Sequence, residues 1–213
     1  NYREIFEKPI FGALLLAGLL ISDRLWQPGW PLARYDALLL YALALQALAE
    51  SRDWHAAPLP LGRSLWRVPT AFGGSLGPQL AEASDLAGLS EDAAISSICG
   101  TRVRVQTIGF APGMPYLGAL PPVWDIPRQT ELTAQVPAGG LCVAIRQLVL
   151  FPNKTPTGWR HIAQTHLRLF QPDADAPFVL KPGDEVQFAP VTPGALAAFA
   201  DDPNGGAVWE PLK

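Results

Sequence analysis

A chain of 213 residues, 49% apolar and 16% charged, suits one packed domain with an appendage and excludes a disordered chain. A formal net charge of −3 excludes bulk attraction of nucleic acid, leaving Arg102, Arg104 and Arg160 as local groups for a phosphate or carboxylate. Two cysteines, Cys99 and Cys142, far apart and outside any C-x-x-C pattern, exclude a disulfide framework or zinc knuckle and read as buried thiols of a reducing cytoplasm.

In chain order, residues 1–53 stand apart as an apolar helical hairpin. IFGALLLAGLLI (10–21) and ALLLYALALQALA (37–49) are apolar on every side, and Pro-Gly-Trp-Pro (28–31) turns the chain between them. Asp36 is the expected cap of the second run. Each run spans only about 20 Å as a helix against a hydrocarbon core of about 30 Å, so buried core helices are the first expectation. Trp26, Trp30, Tyr41, Arg3 and Lys8 suit an interface, which keeps membrane contact by the hairpin as the second.

Residues 54–100 read as a mixed α/β lead-in. SLWRVP is a short strand, FGGSLG a glycine turn, and Pro78 the first position of an amphipathic helix that Gly88 stops. Ser90 caps a further short helix with Glu91 and Asp92 in its first turn. Residues 101–213 read as β. TRVRVQTIGF alternates, LCVAIRQLVLF is one long strand, and FVLKPGDEVQFAPV is strand, Pro-Gly turn, strand. The chain has 22 prolines, and those that recur after Trp54 cut it into short strands at barrel or sandwich spacing.

Few residues advertise chemistry. GGSLG (73–77) matches a G-x-S-x-G nucleophile elbow, which would need His161 or His166 as base to Ser75, but the β-rich remainder lacks the hydrolase sheet and a loop entering a helix is the better reading. His55, His161 and His166 show no metal spacing, and there is neither a Walker loop nor a dinucleotide fingerprint. Asn153-Lys154-Thr155 is a glycosylation sequon without a secretory context. GFAPGMPYLG (109–118) forms a type II turn at Ala111-Pro112-Gly113-Met114, with Gly113 supplying positive φ and Pro115 holding Met114 extended. Phe110, Met114, Tyr116 and Leu117 crowd that rigid turn, either as packing or as a pre-shaped apolar surface for a ligand or partner.

GFAPGMPYLGALP resembles the G-F-x-P-G-F-P-Y-L-G-x-L-P signature of the KipI-like family, also called the B-subunit of 5-oxoprolinase or allophanate hydrolase subunit 1, of the carboxyltransferase subdomain C and D type. The order of later motifs agrees: IPRQTELTAQVPAGGLCVAI, QLVLFPNKTPTGW and LFQPDADAPFVLKPGDEVQFAPV, with FGGSLGPQLAEAS upstream, so the resemblance covers about Trp66 to Val191. It implies an α+β, mainly β protein: a cyclophilin-like β-barrel C-terminal domain preceded by a helical N-terminal segment. It also implies a cytoplasmic subunit, inactive alone, of an ATP-dependent enzyme that opens 5-oxoproline to glutamate. Its partners would be a homologous second subunit and a lactam-utilisation-type subunit, with ATP bound among them and no metal. Family members also include a regulatory module that inhibits a sensor histidine kinase and a carboxyltransferase part of urea amidolyase, which stand as alternatives.

At matching positions the resemblance implies Arg128 and Gln147 as catalytic residues. It implies Gly109, Phe110, Pro112, Gly113, Met114, Pro115, Tyr116, Leu117, Pro137, Gly139 and Trp159 as substrate or partner contacts. Such residues would stabilise charge developing on a lactam carbonyl. The chain departs from the pattern at several points. Cys99 stands for a common His, Val103 for a Tyr, Gln79 for an Asp, Thr157 for a Gly, and Arg146 replaces a Gly-containing approach to Gln147.

Overall fold

A computed structural model describes residues 31–51 and 58–212, and within it the chain divides into two compact units, Asn1–Leu59 and Pro60–Lys213. In the first unit α1 runs from Pro31 to Glu50. It begins at the proline, which is pre-set for a first helical position, so Asp36 lies inside the helix and does not cap it. Tyr41, Leu43 and Leu45 are exposed, which corrects the expectation of a buried core helix over this run. Among the described residues no helix is long and apolar enough to cross a membrane. The partner run 10–21, and with it the hairpin, lies outside the described residues.

The second unit is a barrel. Its strands are β1 (Ser64–Phe72), β2 (Val103–Ile108), β3 (Pro115–Gly118), β5 (Gly140–Ala144), β6 (Gln147–Leu150), β8 (Arg160–Gln164) and β9 (Glu185–Pro190). They are hydrogen-bonded in the order β1-β8-β5-β6-β3-β2-β9, and a parallel β1–β9 pairing from Leu65↔Glu185 to Thr70↔Pro190 closes the ring. β10 (Val208–Pro211) adds antiparallel to the first half of β1. Pro69 falls where β1 passes from β10, left at Arg67, to β8, joined at Ala71. β1 is itself a stave of the barrel, so the strand of the α/β lead-in is built into the same sheet as the strands that follow. α2 (Leu80–Leu86) and α3 (Glu91–Gly100) add Leu80, Ala83, Ala94 and Ile98 to the same core.

That core fills the barrel with side chains from all seven staves, among them Val68, Val105, Leu117, Val143, Leu148, Ile162 and Phe188. A second apolar cluster lies on the other face of β5 and β6: Met114, Val136, Cys142, Ala144, Val149, Phe151 and Trp159. Its cover includes Val136 of a two-stranded sheet, β4 (Thr133–Val136) with β7 (Thr155–Thr157). β5 and β8 are therefore buried along their whole length on both faces.

Local expectations fared unevenly. Ser90 caps α3, its hydroxyl accepting from the Ala93 N–H at 3.2 Å, and Gly88 carries φ +68° after α2. Pro78 precedes α2 by two residues instead of opening it, and Gln79 sits at the N-cap. LCVAIRQLVLF is two strands, not one. Ile145 (φ 45°) and Arg146 (φ 60°) make a two-residue left-handed turn, and β5 pairs with β6 from Ala144↔Gln147 to Leu141↔Leu150. In FVLKPGDEVQFAPV only the second half is a ladder strand, although Gly183 takes the positive φ (+95°) the Pro-Gly turn demands.

Candidate functional site

The turn at Ala111–Met114 forms as its sequence dictates. Gly113 has φ +75°, and the Met114 N–H donates to the Ala111 carbonyl at 3.1 Å. A Cβ on Gly113 would stand 2.8 Å from the Leu169 carbonyl, so this glycine also permits close packing. The crowded side chains divide by role. Met114, Pro115 and Leu117 are buried and hold the turn to the barrel; Tyr116 is half-buried. Phe110 is 78% exposed at φ 71°, a backbone region costly for a bulky residue.

Strand alternation then sorts the remaining predicted residues. Tyr116 and Gly118 face the second cluster, while Leu117 between them enters the barrel. Trp159 meets Tyr116 edge to face, with ring centroids 6.2 Å apart. Gln147 pairs with Gly118 across the β3–β6 ladder, on the face of Val149. Two residues of strand separate it from the level of Tyr116, about 7 Å. Arg128 is exposed and lies beside Gly158, next to Trp159, where a Cβ would come within 3.6 Å of its Nη2. It makes no ion pair among the described residues. Tyr116, Gln147 and Trp159 thus lie on the face whose apolar floor is Cys142, Ala144 and Val149, and the Arg128 side chain reaches Gly158, the residue before Trp159.

Two supports for this face were not foreseen. The first is a carboxamide clamp. Gln79 Oε1 accepts from the His161 N–H (2.9 Å) and the Thr133 hydroxyl (3.2 Å), and its Nε2 donates to Gln129 Oε1 (2.6 Å). Gln129 Nε2 donates to the Trp159 carbonyl at 3.1 Å, and its backbone N–H to the Gly158 carbonyl at 2.7 Å. A glutamine can donate and accept at once, so Gln79, where the family pattern has Asp, ties the Arg128 loop to β8. Thr157, where the pattern has Gly, accepts the Trp159 N–H at 3.1 Å. Arg160 is occupied here too: buried, it pairs with Glu82 at 2.8 Å and donates to the Pro127 carbonyl, so it is no free anion ligand. The second support is Gln106, whose Oε1 accepts from Gln147 Nε2 at 2.7 Å.

The titratable groups beneath are inert. His161 stands opposite Cys142, 4% exposed, and its Nε2–H donates to the Ala163 carbonyl at 3.0 Å. Burial holds its pKa below the usual imidazole value, against the opposing pull of that hydrogen bond. Burial pushes the Cys142 thiol far above the ordinary range, so it is no nucleophile. Cys99, in the last turn of α3, is pushed up to about 11 and packs on the barrel core, where Val103 is also fully buried. The two positions at which the pattern has His and Tyr thus lie away from the Tyr116 face. Ser75 sits in a 3-10 turn, Gly74–Leu76. Gly77 beside it is pressed on the Ile162 carbonyl, so the elbow motif is a packing junction onto β8. Among the described residues no three His, Cys, Asp or Glu gather as a metal site.

Gly139 (φ +77°) and Pro137 form the turn into β5, the Gly140 N–H donating to the Pro137 carbonyl at 3.0 Å. Gly139 lines a separate open cleft of about 360 Å³ with His166, Arg168 and Phe170. Gly109 closes the neighbouring turn, its N–H donating to the Met114 carbonyl at 3.1 Å. The sequence-predicted contacts therefore fall into two places.

A family model described as carboxyltransferase domain, subdomain C and D, matches residues 33–180. The match starts inside α1. The B-subunit of 5-oxoprolinase from Escherichia coli O157:H7 is 38% identical over 156 residues, 72% of this chain and 71% of that protein. The protein of the same name from Bacillus subtilis is 32% identical over 144 residues, 68% of this chain and 60% of that one. Among solved structures, a conserved protein from Pyrococcus horikoshii aligns with TM-score 0.59 and 28% identity over 76% of this chain and 68% of its own. The Kluyveromyces lactis urea amidolyase aligns with TM-score 0.63 at 16% identity over 83% of this chain and 12% of its own, a likeness of fold.

Proposed function

The chain belongs to the carboxyltransferase-domain family of subdomains C and D, and from that premise we propose that it is a subunit of an amide-cleaving complex that opens a cyclic amide such as 5-oxoproline to glutamate. The observation that carries this reading is the Tyr116–Trp159 pair with Gln147 on the same sheet face and the Arg128 guanidinium beside Gly158, next to Trp159. An aromatic wall suits a flat five-membered ring. A carboxamide suits a ring amide, and an unpaired guanidinium suits a carboxylate. The reaction breaks the ring C–N bond, places a water's hydroxyl on carbon and leaves its proton on nitrogen.

A lactam carbonyl is a poor electrophile, and ATP would supply the activation of its oxygen. The glycine turn 73–77 is given to packing instead of phosphate: a Cβ on Gly77 would meet the Ile162 carbonyl, and the Gly73 N–H already donates to that carbonyl at 3.1 Å. The nucleotide is therefore assigned to the partners, a homologous second subunit and a lactam-utilisation-type subunit. What remains for this chain is to bind and orient the ring and to shield it from bulk water.

The test is reconstitution. The chain with these two partner subunits should release glutamate and phosphate from 5-oxoproline and ATP, and the chain alone should release neither. Tyr116→Ala should lower turnover with little change in melting temperature. An assembled complex that leaves 5-oxoproline intact overturns the reading. A regulatory role, inhibition of a sensor histidine kinase, is favoured by one feature, the exposed and strained Phe110. Loss of kinase binding on Phe110→Ala, in a complex inert to lactams, would establish it instead.

A further inference from the structure

Gln106 interrupts the clean alternation of β2. The β2–β3 register shifts between Val105 and Thr107, so Gln106 sits at a bulge, a device that re-aims a side chain. Its amide is aimed across β3 towards Gln147, in the space over Gly118. A Cβ on Gly118 would stand 2.9 Å from Gln106 Nε2 and 3.0 Å from Oε1. Three features of the sequence, a bulge, a glycine and a glutamine on the second strand over, converge on a single hydrogen bond of 2.7 Å.

That bond is not reciprocated. Gln147 Nε2 donates to Gln106 Oε1, and neither Gln147 Oε1 nor Gln106 Nε2 has a partner among the described residues. The pair thus keeps one acceptor and one donor. Exchanging O and N in both amides leaves the same pattern, one acceptor and one donor, on the opposite members. A ring holds its amide cis, with N–H and C=O directed to one side. An open-chain amide is trans and directs them to opposite sides. A lactone has the carbonyl but no N–H.

Building on the proposed function, we propose that Gln106 is a positioning and specificity residue, completing with Gln147 a donor–acceptor edge that reads the cis amide of a lactam. Gln147 Oε1 accepts the ring N–H, and Gln106 Nε2 donates to the ring carbonyl while its Oε1 anchors Gln147.

The test uses the full chain with its partner subunits, 5-oxoproline as substrate, and the lactone analogue with ring oxygen in place of N–H as competitor. The wild-type complex should prefer the lactam by about tenfold or more, the effect of one hydrogen bond of ordinary worth. Gln106→Ala frees Gln147 and should collapse that preference towards unity, with KM rising more than kcat falls. Gln106→Glu keeps the acceptor for Gln147 and loses the donor. It should raise KM for the lactam about tenfold and weaken the lactone alike, preserving the preference at an unchanged melting temperature. If both variants leave KM and preference at wild-type values, or change only the melting temperature, the pair is a strand tie and the inference falls alone. If the wild-type complex is inert to 5-oxoproline, the proposed function falls and takes the inference with it.

Discussion

His161 shows how a buried titratable group reports on the fold and not on chemistry. In the folded chain its imidazole is held neutral by burial, below the ordinary value of 6.5. In the unfolded chain it takes up a proton near that ordinary value. Between the two the unfolded state binds more protons, so stability is full above pH 6.5 and is lost as pH falls through the folded value. Thermal melts from pH 8 to 5 should show this decline, and His161→Gln should flatten it. A slope unchanged by the substitution would assign the decline to other groups.

The β5–β6 hairpin carries the clearest conflict between sequence and element. Ile145 is 46% exposed and held at φ 45°, where a β-branched residue is strained. Ile145→Asn should raise stability by about 1 kcal/mol, since asparagine tolerates this region and little burial is lost. Denaturant midpoints measure it, and a drop on substitution would show that Ile145 packs more than its exposure suggests. The same turn explains what was hidden in the sequence. No Asn-Gly or Gly pair marks Ile145-Arg146, so two apolar runs divided only by Arg146-Gln147 read as one strand. Where glycine or a cap does the local work, at Gly113, Gly183 and Ser90, the turn or helix start was legible because only a few residues satisfy the geometry. Tyr116, Trp159, Gln147 and Arg128 were reachable through motif resemblance. Gln106 and the Gln79–Gln129 clamp were not, because polar side chains on outward strand positions look alike until register brings them together. β1 was underestimated for the same reason: its partners β8 and β9 lie far along the chain.

At the scale of the molecule, closure depends on that first strand. Asp184, 2% exposed, accepts the Ser64 N–H at 2.8 Å with one oxygen and the Lys181 N–H at 3.1 Å with the other. Its carbonyl accepts the Val105 N–H at 2.8 Å, so the turn before β9 ties together the starts of β1 and β2. Asp184→Ala strands two backbone donors at the closing seam and should cost about 2–4 kcal/mol in equilibrium unfolding. A loss below about 0.5 kcal/mol would mean that water replaces the carboxylate at the seam. The ring closed in this way leaves β10 as the one strand of the eight-stranded sheet outside it. A strand bonded on one side only is a template on which a second molecule can add its own backbone and start a fibre. β10 is four residues long, ends on Pro211, and carries Glu210 paired with Arg67 at 2.9 Å. A short run, a residue without an N–H and a fixed charge blunt that outer edge against growth into a shared sheet.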